Sequence, residues 1–467
     1  MTVPFRPRPD RTEGDVNQGP ARAAWTRDHV GPRGAALTAR DADVYLRQSL
    51  STPCLTALAR AEGAWIEDVD GRRYLDFHGN SVHQLGHAHP RVVAAVKAQL
   101  DALAFCPRRY TSEPAVELAE ALGGLAFGGR GKVLLAPAGT VAMGMALKLA
   151  RLATGRFKTL SFWDAFHGAG LDALSVGGER GFREGLGPLL PGAEHLPPPE
   201  PYRCALQEDG NCPECDLACA RYLEYVLERQ GDVAAVVAEP VRCTTAHLPP
   251  EGYWPAVRAA CDKAGALLIF DETATCLGRT GRMFAFEHFD AEPDLVVLGK
   301  GLGGGIMPLA ALLARPGLDV AGHTSIGHYT HEKSPVGCAA ALAALAVLAG
   351  EDLPGRARRL GRAALWRLEG LKARHACVGD VRGLGLMLAV ELVKSRVTRE
   401  PDPERAEAVL YACLARGLSF KVSQGNVLTL TPPLTIPEAE LEQALDILDA
   451  ALAETAQPRT SGPAAGA

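Results

Sequence analysis

Between about residue 110 and residue 345 the chain alternates stretches of helical periodicity with short apolar runs. These runs are Val133–Leu135, Thr159–Phe162, Ala234–Ala238, Leu267–Phe270 and Leu295–Leu298. Each is too short for a helix and long enough for a buried strand. Their spacing predicts an α/β domain built on a mostly parallel sheet. Upstream, residues 62–77 read as a hairpin turning at Asp70-Gly71. Residues 90–103 have helical spacing with proline in the first turn. Beyond 345, helical stretches are followed by Met387–Val393 and Val427–Leu430, which predict a smaller C-terminal α+β domain. The expected organisation is an extended or disordered tail over 1–36, rich in Pro, Arg and Gly, and an N-terminal segment of the small domain over 37–109. The large domain spans 110–345, the C-terminal small domain 346–455, and a loose tail 456–467.

Composition narrows the functional classes. The 467 residues are 47% hydrophobic and 22% charged, with a net charge of −5. That balance is globular and offers no basic face for nucleic acid or an anionic membrane. The longest apolar run, Cys338 to Ala349, is too short to span a bilayer. The N-terminus carries no apolar core of a secretory signal, so a cytoplasmic location is expected. Twelve cysteines in such a chain are expected as thiols. Cys204, Cys212, Cys215 and Cys219 cluster as C-x7-C-x2-C-x3-C in a proline-rich insertion. They are a candidate structural Zn²⁺ site; the alternative is four ordinary cysteines in a loop running into a helix.

The chemistry concentrates at two strand ends. The apolar run ending at Leu298 leads through Gly299 into Lys300 and a glycine tract, and the run before it ends in Asp271-Glu272. A strand-end Lys and a strand-end Asp suit a pyridoxal phosphate (PLP) enzyme. The amine bonds to the cofactor aldehyde, and the carboxylate keeps the pyridine nitrogen protonated so that the ring accepts electrons.

Further motifs follow in order: Gly86-His87-Ala88-His89-Pro90, Phe166-His167-Gly168, Glu239-Pro240, Gly278-Arg279-Thr280-Gly281, Val381-Arg382-Gly383-Leu384-Gly385 and Pro432-Pro433-Leu434. Over residues 60–450 the chain resembles the class III aminotransferases, fold-type I PLP enzymes. The resemblance implies phosphate-cup residues at Gly139 and Thr140 before a helix, where free N–H groups and the helix dipole favour an anion. It implies stacking of Phe166 on the pyridine ring with His167 beside it, and a strand-end acid, Glu239, near the substrate amine. It also implies that Thr330 reaches the phosphate of a neighbouring subunit's cofactor. That last role implies a homodimer with shared active sites, residues 37–109 supplying dimer contacts.

The chain departs from the family pattern around the cofactor. The cup reads Pro137-Ala138-Gly139-Thr140-Val141-Ala142, Ala274 stands where the family has Gln, and Thr330 is followed by His331-Glu332-Lys333-Ser334-Pro335. Thr429 stands where class III transaminases carry the arginine that grips the carboxylate of amino and 2-oxo acids through a two-pronged hydrogen bond. Without that fork a 2-oxo acid has no evident anchor, which favours a one-substrate reaction. Asn80, His83, Arg109 and Lys333 add polar and cationic groups suited to a phosphonate or phosphate. For the arginine the competing reading is a solvated loop, and for Lys333 an ion pair with Glu332. These departures resemble the phosphonate-degrading branch of the family. They imply a PLP-dependent lyase that eliminates ammonia from 1-hydroxy-2-aminoethylphosphonate to give phosphonoacetaldehyde. The alternatives are an ω-aminotransferase and a phospho-lyase acting on an amino-alcohol phosphate. A catalytically silent binding homologue is disfavoured, since Lys300 and Asp271 are both intact.

Overall fold

The structure, a computed structural model, describes residues 19–48, 54–207, 212 and 215–456. Its centre is a seven-stranded sheet. The strand order is Lys132–Ala136, Ala310–Ala314, Leu295–Leu298, Leu267–Asp271, Val233–Ala238, Lys158–Phe162 and Ala193–Leu196. Every neighbouring pair is parallel except those made by Ala310–Ala314, which runs against both of its neighbours. The five apolar runs read from the sequence are all strands here. Two strands lack such a signal. Ala193–Leu196 (Ala-Glu-His-Leu) is a half-polar edge strand. Ala310–Ala314 (Ala-Ala-Leu-Leu-Ala) has no β-branched residue.

The central strands Val233–Ala238 and Leu267–Asp271 are buried at every position. That explains why they read as unbroken apolar runs: both faces of the sheet are covered. The helix Gly139–Thr154 packs on this sheet and buries Ala142 through Leu147. It ends at Gly155, whose left-handed backbone (φ 67°) lets its N–H close onto Arg151 O. The helix Pro335–Gly350 starts with Ser334 accepting from Gly337 N and proline in the first turn. It carries the apolar stretch 338–349. Among the described residues no single helix is long and apolar enough to cross a membrane; the pair Pro335–Gly350 and Leu353–Arg374 passes that test only together, bent by 62°.

The hairpin forms between Trp65–Asp68 and Arg73–Asp76 and is joined by Leu58–Glu62 and, in parallel, by Leu418–Ser419. The chain's beginning and end therefore share one small sheet. A second four-stranded sheet, in the order Val378–Leu384, Met387–Leu392, Val427–Leu430 and Lys421–Ser423, belongs to the C-terminal part.

The extended tail expected over 1–36 is corrected in its described part. Residues 20–29 and 32–44 are helices, each opening with proline in its first turn. Local sequence lacks the signal because the stabilising groups are distant. Trp25 is buried against Tyr411. The Asp70 carboxylate accepts from Arg33 N (3.3 Å) and Gly34 N (2.7 Å), capping the second helix from the hairpin turn. Residues 1–18 lie outside the described part, as do 457–467; residue 456 ends the helix Glu438–Ala456.

Candidate active site

The carboxyl ends of parallel strands collect the side chains that the sequence singles out, as open α/β sheets place ligand sites. Asp271 ends Leu267–Asp271, Glu239 follows Val233–Ala238, and Lys300 follows Leu295–Leu298. Lys300 takes a left-handed backbone conformation (φ 46°).

Two glycines bring the helix start and the lysine together. A Cβ on Gly299 would lie 2.9 Å from Thr273 Cγ2 and 3.7 Å from Gly139 Cα. A Cβ on Gly139 would lie 3.1 Å from the same Thr273 methyl. The N-terminus of Gly139–Thr154 thus abuts the turn that carries Lys300, with Thr273 between them. Next to it, Gly168 (φ 127°) lies so close to Thr140 that a Cβ there would stand 2.5 Å from Thr140 Cβ. Thr140 Oγ1 accepts from Gly170 N (2.8 Å), which fixes the Phe166-His167-Gly168 turn on the helix start.

Asp271 is buried and well held. Its Oδ2 meets His167 Nδ1 at 2.8 Å; its Oδ1 accepts from Thr273 N (3.0 Å) and from the Thr273 hydroxyl. Burial alone would raise its pKa, but the His167 and Thr273 contacts outweigh it and hold the carboxyl below its usual range. Burial would lower the His167 pKa; the bond to Asp271 outweighs it and raises it. Glu239 accepts from Cys243 N (3.2 Å) and is pushed up by burial. Phe166, half-buried, packs on Phe182 with centroids 4.5 Å apart.

The donor set fits PLP. An ionised carboxylate offers about four acceptor positions, and Asp271 uses three, leaving one for a protonated ring nitrogen. A helix N-terminus with close glycines suits a phosphate, and the turn that carries Lys300 abuts it at the Gly139–Gly299 contact. PLP bound there would need Gly139, Thr140, Phe166, His167, Asp271 and Lys300, which the fold gathers in one place.

The substrate-side residues fall into two groups. Asn80 is exposed, with a left-handed backbone, in the Gly79–Ser81 turn, which contacts the Lys300–Gly303 turn. His83 is only 1% exposed, against Gly79, with Nε2 on Asp76 O at 3.0 Å. Burial pushes its pKa down to about 4. It supports the Asn80 turn from behind and faces no solvent. The second group is a pair of loops. Arg108 pairs with Glu332 (3.1 Å), and Phe105 meets His331 edge-on at 5.2 Å. Glu332 is thus taken by Arg108, not by Lys333. Arg109, Thr330 and Lys333 are exposed on these coupled loops, and neither Arg109 nor Lys333 forms a salt bridge among the described residues.

Thr429 is buried, with its hydroxyl on Thr244 O (2.5 Å) and Ser423 Oγ (3.1 Å). A short side chain satisfied within the protein fills the position expected of a guanidinium. The four-cysteine zinc site finds no support in the geometry. Cys212 and Cys215 lie together, Sγ to Sγ 3.2 Å, but no three of the four sulfurs gather within ligand distance. Among the described residues only Asp76, His83 and His87 do so, and Asp76 Oδ2 already takes His87 Nε2 at 2.9 Å. Thr273 and the Asp76–His87 pair went unnoticed in the sequence. A threonine two residues after a strand-end acid is the available signal for the first; the second needs the fold.

Comparison with known proteins agrees with this geometry. The family model "Aminotransferase class-III" matches residues 47–452. The chain is 47% identical to an (R)-1-hydroxy-2-aminoethylphosphonate ammonia-lyase from Vibrio splendidus over 456 residues, 95% of each chain. It is 34% identical to a leucine/methionine racemase from Thermococcus litoralis, over 92% of this chain and 98% of that one. The fold superposes on the taurine:2-oxoglutarate aminotransferase of Bifidobacterium kashiwanohense, solved in complex with PLP and glutamate. The TM-score is 0.84 at 29% identity, covering 91% of this chain and 98% of that one.

Proposed function

This chain belongs to the aminotransferase class III family, and on that premise we propose that it is a PLP-dependent ammonia-lyase. Its substrate is (R)-1-hydroxy-2-aminoethylphosphonate and its products are phosphonoacetaldehyde and ammonia. The observation that carries the lyase reading is Thr429, whose hydroxyl is spent on Thr244 and Ser423 where a transaminase needs a carboxylate-binding arginine. Support also comes from the near full-length likeness to a lyase of that specificity.

PLP supplies an electron sink for the carbon that bears the substrate nitrogen. Lys300 would hold the cofactor through its amine, and as a free amine it would take the proton from that carbon. Asp271, kept ionised by His167 and Thr273, holds a proton on the ring nitrogen. Glu239, close to His167 and Asp271, would face the substrate amine, and Phe166 would stack on the ring. The hydroxyl on the neighbouring carbon is a poor leaving group and needs a proton as it departs. His83 is unsuited to give it: with a pKa near 4 it is neutral at working pH, and its Nε2 is spent on Asp76 O. Lys333 and His331 are the donors that fit, and Arg109 and Lys333 supply the charge for a phosphonate. Loss of hydroxide leaves an enamine, and water then converts it to aldehyde and ammonia.

His331 and Lys333 sit on the loop that carries Thr330, and Arg109 sits on the loop coupled to it through Arg108–Glu332 and Phe105–His331. With Thr330 serving the neighbouring subunit's cofactor, those groups serve the same neighbouring site, and the working unit is a homodimer. The unbridged cysteines and the absence of a single membrane-length helix among the described residues support a cytoplasmic location. The test is spectroscopic. After a limiting amount of substrate is consumed without any 2-oxo acid, the cofactor should be recovered as PLP. Accumulation of pyridoxamine phosphate would place the enzyme among the transaminases.

A further inference from the structure

The proline-rich insertion brings two thiols together away from Lys300. Cys212 and Cys215, spaced as Cys-Pro-Glu-Cys, have sulfurs 3.2 Å apart. They lie just before the helix Ala218–Gln230, whose Ala218 N–H bonds to Cys215 O at 3.0 Å. Both line a cavity of about 640 Å³ shared with Tyr202, His247 and Arg382. The pair is therefore reachable by a small solute. Cys204 and Cys219 are buried nearby.

We propose that Cys212 and Cys215 form a reversible dithiol–disulfide site, oxidised by low-molecular-weight disulfides that enter through this cavity. The sulfurs need to approach by only about 1 Å to reach the bond length of ~2.05 Å. The two thiols are unequal. Burial raises both, but the Cys212 hydrogen bond and the N–H groups of Ala218 and Leu217 outweigh it at Cys215, whose pKa is lowered. Cys212 is pushed up to about 12 by burial and its neighbour. Cys215 is accordingly the attacking thiolate. It displaces one thiolate from a disulfide such as oxidised glutathione and forms a mixed disulfide. Cys212 then gives up its proton and attacks the Cys215 sulfur, releasing the second thiol. Two protein thiols are oxidised, one small disulfide is reduced to two thiols, and the balance closes. Cys219, raised to about 11 by burial, is left as a thiol.

The experiment uses the holoenzyme in glutathione buffers of graded ratio, quenched with an alkylating reagent and mapped by mass spectrometry. Cleavage after Arg203 and Arg221 puts Cys204, Cys212, Cys215 and Cys219 in one peptide. That peptide should lose two hydrogens, with fragmentation locating the bond between Cys212 and Cys215 while Cys204 and Cys219 carry the alkyl label. The Cys212→Ser variant should trap glutathione on Cys215, and Cys215→Ser should trap far less on Cys212. Overturning results are alkylation of both thiols after the exposed Cys54 has been glutathionylated, or preferential trapping on Cys212.

Discussion

Replacing Asp271 by Asn removes one charge while keeping the shape of the side chain. Asp271 accepts from His167 at 2.8 Å, from Thr273 N at 3.0 Å and from the Thr273 hydroxyl. The single oxygen of Asn can keep the Thr273 contacts, and His167 can adopt the other tautomer to accept from the new amide. The fold should therefore survive. What is lost is the anion that raises the His167 pKa and holds a proton on the cofactor nitrogen. A hydrogen bond to a charged partner contributes about 1.5–3 kcal/mol, so PLP affinity should fall about 10- to 150-fold at 1.4 kcal/mol per decade. Turnover at saturating PLP should fall at least as far, because the ring loses its electron-withdrawing form. The assay is fluorescence titration of the apoenzyme with PLP, steady-state turnover, and a melting curve to establish that the apoenzymes are comparably folded. Native affinity and native turnover in Asp271→Asn would refute this assignment.

Gly168→Ala should unsettle the cofactor turn, because its Cβ would stand 2.5 Å from Thr140 Cβ at φ 127°; a strained backbone of this kind costs about 1–3 kcal/mol, read as a lower melting temperature and weaker PLP retention. Arg109→Ala should raise KM about 10- to 150-fold with kcat little changed if it holds the phosphonate. Lys333→Ala should do the same if it only binds, and should lower kcat as well if it also protonates the departing hydroxyl. Unchanged KM in both variants would remove these loops from the substrate site. Glu272 is fully buried beneath Ala285 N, Phe286 N and the Thr275 hydroxyl, and burial pushes it up to about 7 from 4.5. Its folded pKa is raised, so its contribution to stability is full below about 4.5 and is lost as pH rises through about 7. That loss amounts to at most about 3 kcal/mol. The stability difference between native enzyme and Glu272→Gln, measured by urea unfolding, should shrink over that window; a difference that grows with pH would contradict the sign.

The sequence was legible where chemistry and burial coincide locally. Leu267–Asp271 and Leu295–Leu298 are buried on both faces, so their apolar runs are unbroken, and Asp271 and Lys300 end them visibly. It was less legible where long-range contacts decide. The helices 20–29 and 32–44 depend on Trp25 reaching Tyr411 and on Asp70 capping Gly34, contacts that no local window contains. His83 looked like a substrate ligand because its neighbours are polar; the fold turns it inward onto Asp76. The cysteine spacing suited zinc, but only two of the four sulfurs meet. Arg109 and Lys333 stand in separate segments of the sequence, and only the Arg108–Glu332 pair and the Phe105–His331 contact reveal that their loops are coupled.

The central claim is elimination without a second substrate. The most direct measurement follows purified enzyme with (R)-1-hydroxy-2-aminoethylphosphonate and no 2-oxo acid, quantifying ammonia and phosphonoacetaldehyde together over many turnovers. The two should appear in equal amounts, at a rate that added 2-oxoglutarate or pyruvate leaves unchanged and that Lys300→Ala abolishes. Turnover that begins only when a 2-oxo acid is added, with its amino acid formed in place of free ammonia, would contradict the account.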